Sequence, residues 1–224
     1  MNPAFFLLMW VKRRRWAMLL VAILLLLIMS PFPGAFDRLD NLISPLAAVV
    51  VLAVTLCTAR RLLTIVLMLA LTLVWLVISI ATDGSGLFAG ASTVAPVLFL
   101  LVMGSVFLLL ANWLAHVTVI NAEVLCAAIC GYLIVGLFWA GIYALVQNVD
   151  PQAIITHDSI KLEHGDFIYF SYTTLTTTGF GDLVPKNPVA RMWAVIEAVT
   201  GTFYVAIVIA RFVTLYGFKP QRAD

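Results

Sequence analysis

The sequence predicts an all-α integral membrane protein: six transmembrane helices, a short re-entrant helix and an extended, glycine-bearing segment. Three observations carry this reading. Of the 224 residues, 63% are hydrophobic and 11% charged, a balance that a soluble domain of this length does not show. Six apolar stretches (residues 16–29, 42–58, 62–80, 91–114, 124–146 and 189–216) approach or reach the roughly 20 residues that cross a bilayer. Between the fifth and sixth lies Ser-Tyr-Thr-Thr-Leu-Thr-Thr-Thr-Gly-Phe-Gly-Asp, residues 171–182. Irregular backbone of that kind survives at membrane depth only where protein or a water-filled cavity satisfies it.

The first stretch is the shortest, and residues 30–33 extend it into the interface. It follows Lys12, Arg13, Arg14 and Arg15, a pattern that a secretory leader shares. Apolar residues upstream of the basic cluster and the lack of a small-residue cleavage site argue for a retained helix. Orientation follows from the basic residues. With a cytoplasmic amino terminus, the inner side holds Lys12, Arg13, Arg14, Arg15, Arg60, Arg61, Arg211, Lys219 and Arg222. The outer side holds only Arg38, Lys161, Lys186 and Arg191. Both termini are therefore expected in the cytoplasm, with the protein in the cell membrane.

The second, third and fourth stretches contain no basic ladder. Residues 91–114 have no Lys or Arg, whereas a helix that does electrical work in the field needs several. The expected role of this part is a hydrophobic scaffold, with a lipid or small-ligand sensor as the alternative. Residues 112–123 are the most polar run between the fourth and fifth stretches and divide the chain into modules at 1–115 and 116–224. Cys57, Cys126 and Cys130 all lie within apolar stretches and are expected to be small core residues, with no resident cofactor. No nucleophile–base pair, metal cluster or phosphate loop appears, so neither an enzyme nor a nucleic-acid partner is expected.

After the fifth stretch, residues 166–175 have the length of a re-entrant half-helix, too short to span. Pro185 and Pro188 then break the chain before the last stretch. The segment between the half-helix and these prolines carries the chemistry. Gly179 and Gly181 can reach backbone angles closed to residues with a Cβ, so peptides can turn their carbonyls toward one axis. Rings of such carbonyls, with a threonine hydroxyl at the inner end, replace the hydration shell of a dehydrated cation. One copy per chain implies a homotetramer around that axis. Between Asp150 and Arg191 there are five acids (Asp150, Asp158, Glu163, Asp166, Asp182) and three bases (Lys161, Lys186, Arg191). That excess would concentrate cations at the mouth. His157 and His164 in the same region are expected to be ordinary loop residues, with pH or metal sensing as the alternative.

Thr177-Thr178-Gly179-Phe180-Gly181 resembles the T-V-G-Y-G filter of the potassium channel superfamily. The longer run through Pro185, with Ala-Arg-Met-Trp-Ala-Val-Ile-Glu-Ala-Val-Thr-Gly at 190–201, is similar to the pore domain that ends bacterial six-helix members. The resemblance covers residues 121–216. It implies K⁺ ligands at Thr177, Thr178, Gly179, Phe180 and Gly181, with K⁺ as permeant ion, and Asp182 closing the outer mouth. It also implies that Tyr169 bonds Asp182 from behind, and that Phe180 meets Phe170 in an apolar contact where the family has a hydrogen bond. Gly201 falls at the inner-helix hinge position, with close packing as the other reading. Thr202, Val205, Ile209 and Val213 then share a face toward the cavity and inner constriction. Glu197 is the one acid deep in a helix; it supports the pore helix or acts on ions and gating. Thr178 stands where valine is usual. Turned behind the filter, its hydroxyl needs a partner among Thr173, Thr174 and Glu197; turned inward, it becomes a further ligand.

The function expected is passive K⁺ permeation, not voltage-gated by a basic helix and with no soluble regulatory domain after residue 216. A weakly selective cation channel, a K⁺ transporter and a non-conducting subunit are the alternatives. The first is favoured by Thr178. A transporter of this kind usually carries four filter repeats in one chain, and the intact filter disfavours a silent subunit.

Overall fold

The computed structural model describes residues 14–29, 48, 51–52, 55, 62–81, 94–156, 162 and 164–217. Its elements are α1 (Arg15–Met29), α2 (Leu62–Ala81), α3 (Val94–Ala115), α4 (Ala122–Val149), β1 (Ile154–Thr156), α5 (His164–Leu175), β2 (Leu183–Pro185) and α6 (Pro188–Gly217). Among the described residues, three helices contain spans long and apolar enough to cross a membrane: Pro96–Ala115, Ala122–Val149 and Pro188–Leu215. Arg15–Ile28 and Leu62–Ile78 are shorter apolar helices. The predicted stretch at 42–58 lies outside the described residues except for Ala48, Val51, Leu52 and Thr55, which are helical.

The 28-residue α4 is the spine, and α1, α3, α5 and α6 all pack on it. Its start is fixed locally. Asn121 caps it, its side chain accepting from the Val124 amide at 3.0 Å, which satisfies one of the amides a helix start leaves open. Glu123 in the first turn suits the positive end of the helix dipole. Its Oε2 also accepts from the Trp16 amide of α1 at 3.0 Å. Beside this contact Trp16 packs on Trp113 of α3, ring centroids 4.8 Å apart, with the Arg15 guanidinium over both rings. Trp75 of α2 and Phe99 of α3 form a second aromatic contact. The buried apolar core runs continuously through these helices into α5.

Two strands were not legible in the sequence. β1 and β2 pair antiparallel with Ile154 opposite Pro185, Ile155 opposite Val184 and Thr156 opposite Leu183. Gln147, near the end of α4, accepts from the Ile154 amide and so anchors the ribbon to the helix. Pro185 does not simply break the chain: it ends a strand, where a missing N–H is tolerated. Pro188 opens α6 as its first residue, a position where proline's missing N–H removes nothing.

Asn187 caps α6 by accepting from the Ala190 amide at 2.7 Å, while its Nδ2 donates to Asp150 Oδ2 at 2.7 Å. The end of α4 and the start of α6 are thereby tied through two side chains. Asn187, and then the Gln152 amide, hold the Asp150 carboxyl below the usual carboxylate range. A carboxyl shifted this way stabilises the fold above its unfolded-state value, and the contribution fades as pH falls through the folded-state value. Asp150→Ala should accordingly lower the melting temperature at neutral pH, with the gap to wild type closing in acid. Thermal melts in detergent across pH would check this; a gap that stays constant into acid would contradict it.

Candidate functional site

Helix α5 ends at Leu175, and the next residues fold back on its last turn. The Thr176 amide donates to the Tyr172 carbonyl at 3.0 Å, and that of Thr177 to the Thr174 carbonyl at 2.9 Å. The Thr178 and Gly179 amides both reach the Thr173 carbonyl, at 2.9 and 3.1 Å. Carbonyls left open at the end of a helix are thus satisfied by the segment that follows.

Thr177 has φ 57, Gly179 φ 53 and Gly181 φ 83, and no other described residue that is not glycine has positive φ. Every second residue of the segment is therefore left-handed. In an ordinary strand successive groups point to opposite sides; alternating hand brings successive carbonyls to one side. Glycine holds these angles at little cost, but a β-branched threonine does not. Thr177 stores strain of about 1–3 kcal/mol, a cost seen where a site needs its backbone so disposed. A Cβ built on Gly179 or Gly181 meets nothing within 4 Å, so both glycines face open space.

The support behind this segment comes from α5. Tyr169 hydrogen-bonds Asp182 through its hydroxyl and stacks on Phe180, with centroids 6.2 Å apart and planes 5° apart. The expected Phe170–Phe180 contact is not formed within the chain. Phe170 is buried and meets Tyr143 of α4 edge-on, at 4.7 Å. Consecutive residues of a helix lie about 100° apart, so Tyr169 faces the glycine segment while Phe170 faces α4. Thr178 also differs from expectation. Its hydroxyl pairs with Thr176 Oγ1 at 2.9 Å and not with Thr173, Thr174 or Glu197. Thr176 lies 2.6 Å from the Tyr172 carbonyl, which can only accept. Thr176 therefore donates to Tyr172, and Thr178 donates to Thr176, which ties the Thr178 hydroxyl back toward α5.

Helix α6 closes the rear. A Cβ on Gly201 would stand 2.3 Å from the Leu175 carbonyl oxygen, so the two helices approach as closely as backbones can. Of the two readings of this glycine, close packing is the one visible in the geometry. Thr202, Val205, Ile209 and Val213 are all exposed, on a face that α4 and α5 leave uncovered. Glu197 is fully buried and lies at hydrogen-bond distance from the Tyr143 and Ser171 hydroxyls, two residues the sequence did not single out. An acid among apolar residues signalled a site; its partners are set by helix packing and left no local pattern.

Arg211, near the end of α6, was read only for orientation. Its guanidinium donates to the Ala115 carbonyl, and to that of Val117 at 3.1 Å, just past the end of α3. Cations suit helix C-termini. His157, Asp158, Lys161 and Glu163 lie outside the described residues, as do Cys57 and most of the charges that set orientation. Cys126 is half-buried and Cys130 buried, with its thiol toward the Trp16 carbonyl, and neither is in a disulfide; no metal-holding cluster of His, Cys, Asp and Glu occurs among the described residues.

The arrangement is a short helix that stops inside a bundle of long apolar helices, followed by carbonyls turned to one side. Residues 124–217 match the family model of an ion channel. The match runs from the first turn of α4 to the end of α6, so the matched region includes α5, the glycine segment and the β ribbon. That family is one of channels and not of enzymes. With its apolar helices, the channel domain supports a membrane protein with ion channel function. No curated protein and no solved structure matches the chain.

Proposed function

We propose that the chain forms a homotetrameric, K⁺-selective pore that passes K⁺ down its electrochemical gradient, with α5 as pore helix, residues 177–181 as filter and α6 as inner helix. The observation that carries the reading is the left-handed backbone at Thr177, Gly179 and Gly181, in a segment held by Tyr169 on Asp182. Carbonyls from one chain approach an ion from one side only, and a dehydrated cation needs them all round. The inner helix fits that demand. In its most apolar stretch 11% of residues are buried within the chain, against 61% for α4, and its open face carries Thr202, Val205, Ile209 and Val213. Fourfold repetition covers this face and lines a cavity below the filter.

The remaining parts of the reading follow from the sequence. Six spans, with the stretch at 42–58 as the second, put both termini in the cytoplasm and the filter toward the outside of the cell membrane. Helix α3 has no Lys or Arg, so opening is not driven by a basic helix moving in the field. K⁺ and Na⁺ flux into liposomes holding the purified protein tests the proposal. K⁺ flux well above Na⁺ flux is expected. Absence of flux would overturn the pore, and equal fluxes would leave a weakly selective cation channel.

The weakly selective reading rests on Thr178, and the hydrogen bond to Thr176 speaks against it. A hydroxyl that gives its hydrogen toward α5 is not offered to the ions. Thr178→Val should therefore leave the K⁺ to Na⁺ flux ratio nearly unchanged. The lost contact contributes about 0.5–1.5 kcal/mol and would show mainly in filter stability. A large gain in selectivity in that variant would mean that the hydroxyl faces the ions.

A further inference from the structure

Glu197 sits within an apolar span with no accessible surface. Each of its oxygens has one neighbour: the Tyr143 hydroxyl 2.5 Å from Oε2, and the Ser171 hydroxyl 2.6 Å from Oε1. Ser171 is equally buried, and its Oγ also lies 2.7 Å from the Gly136 carbonyl. Both Ser171 contacts are at full hydrogen-bond distance, yet a serine hydroxyl has a single hydrogen. The Gly136 carbonyl has none to give. With the Ser171 hydrogen placed on Gly136, the hydrogen between Ser171 and Glu197 has to come from the carboxyl.

We propose that Glu197 works as a neutral carboxylic acid, donating to Ser171 and accepting from Tyr143, and so positions the pore helix against the outer and inner helices. The donors then run in one direction, from Tyr143 to Glu197 to Ser171 to Gly136, from α4 through α6 and α5 and back to α4. Every contact has one hydrogen and none has two. An ionised carboxylate would draw the Ser171 hydrogen to itself and leave Ser171 and Gly136 as two oxygens in contact with nothing between them. It would also lack a counter-charge. The titratable groups facing it are Tyr143 and Tyr132 of α4 and Tyr172 of α5; among the described residues no base bonds it. An unpaired charge in the membrane interior is costly, and a neutral acid avoids that cost. Ser171 lies one turn before Leu175, whose successors begin the filter, so play in this chain of bonds reaches the ion ligands.

The inference rests on the pore reading for its effect on flux, but its core can be tested without flux. An infrared difference spectrum between wild type and E197Q, both in lipid at neutral pH, isolates the Glu197 side chain. The expected result is the carbonyl stretch of a protonated carboxylic acid, shifted in an S171A background where its acceptor is gone. A carboxylate stretch in its place would overturn the proposal. In liposomes E197A should lose about tenfold in K⁺ flux, the population change that follows loss of a buried hydrogen bond. E197Q, which can donate from its amide nitrogen and accept on its oxygen, should restore the flux. A glutamine variant as impaired as the alanine variant would also overturn it. If E197A fails to assemble, the spectrum and E197Q still decide. If wild type carries no ions, the pore reading fails while the spectrum still reports the proton.

Discussion

Gly179→Ala is expected to abolish K⁺ flux while leaving an assembled protein. Gly179 has φ 53, between Thr177 at 57 and Gly181 at 83. Holding a residue with a Cβ in this region costs about 1–2 kcal/mol, and in the proposed tetramer the cost falls four times in one ring. The peptide relieves it by rotating. Rotation takes a carbonyl off the ion path and turns an N–H toward it, a donor where the cation needs an acceptor. The fold itself has room, since the new methyl meets nothing within 4 Å. Loss should thus appear in flux from liposomes and not in the elution volume of the detergent-solubilised protein. Unchanged flux would remove the filter assignment.

Gly201→Ala should lower melting temperature and flux together, for a different reason. Here the added Cβ would stand 2.3 Å from the backbone oxygen of Leu175 and 3.0 Å from its Cδ1. A carbonyl at the end of a helix cannot swing aside as a side chain does, so α5 and α6 have to part. Overpacking of this kind costs about 1–3 kcal/mol. Leu175 lies two residues before Thr177, so the displacement reaches the filter. The sign of the stability change is informative. A glycine needed only as a hinge would gain about 1 kcal/mol of helix stability on becoming alanine. A higher melting temperature in this variant would therefore favour the hinge, and a lower one the close contact.

The long helices were legible because apolar runs of membrane length leave few other readings. The observed bounds of α4, Ala122–Val149, extend the apolar run at 124–146 through a capping asparagine and a polar last turn, features set by local chemistry and not by hydropathy. The glycine segment was legible for a similar reason: positive φ restricts residue type, so composition betrays backbone. What stayed hidden depends on contacts between distant residues. Three-residue strands around Ile155 and Val184 carry no periodicity, and Pro185 looked like a breaker because its pairing partner lies far away in sequence. The resemblance implied a Phe170–Phe180 pair, but the helical turn from Tyr169 to Phe170 decides which ring meets Phe180. Turned behind the filter, the Thr178 hydroxyl was expected to find Thr173, Thr174 or Glu197, whereas the turn after Leu175 brings Thr176 nearer. Tyr143 and Ser171 are ordinary residues in apolar helices, and only the rotation of α4 against α5 and α6 aims them at Glu197.

The inner helix is gripped at both ends. Near its first turn Asn187 is fastened to Asp150, at the close of the outer helix; near its last, Arg211 holds the carbonyls where α3 gives way to the link before α4. A rod fixed at two points has no end free to swing. Its freedom is to bow, or to roll about its own length, between the two fastenings. Any shift at the foot of α3 is therefore delivered to the foot of α6 for as long as the guanidinium keeps its hold. A helix with no Lys or Arg for the membrane field to pull on still has a lever on α6.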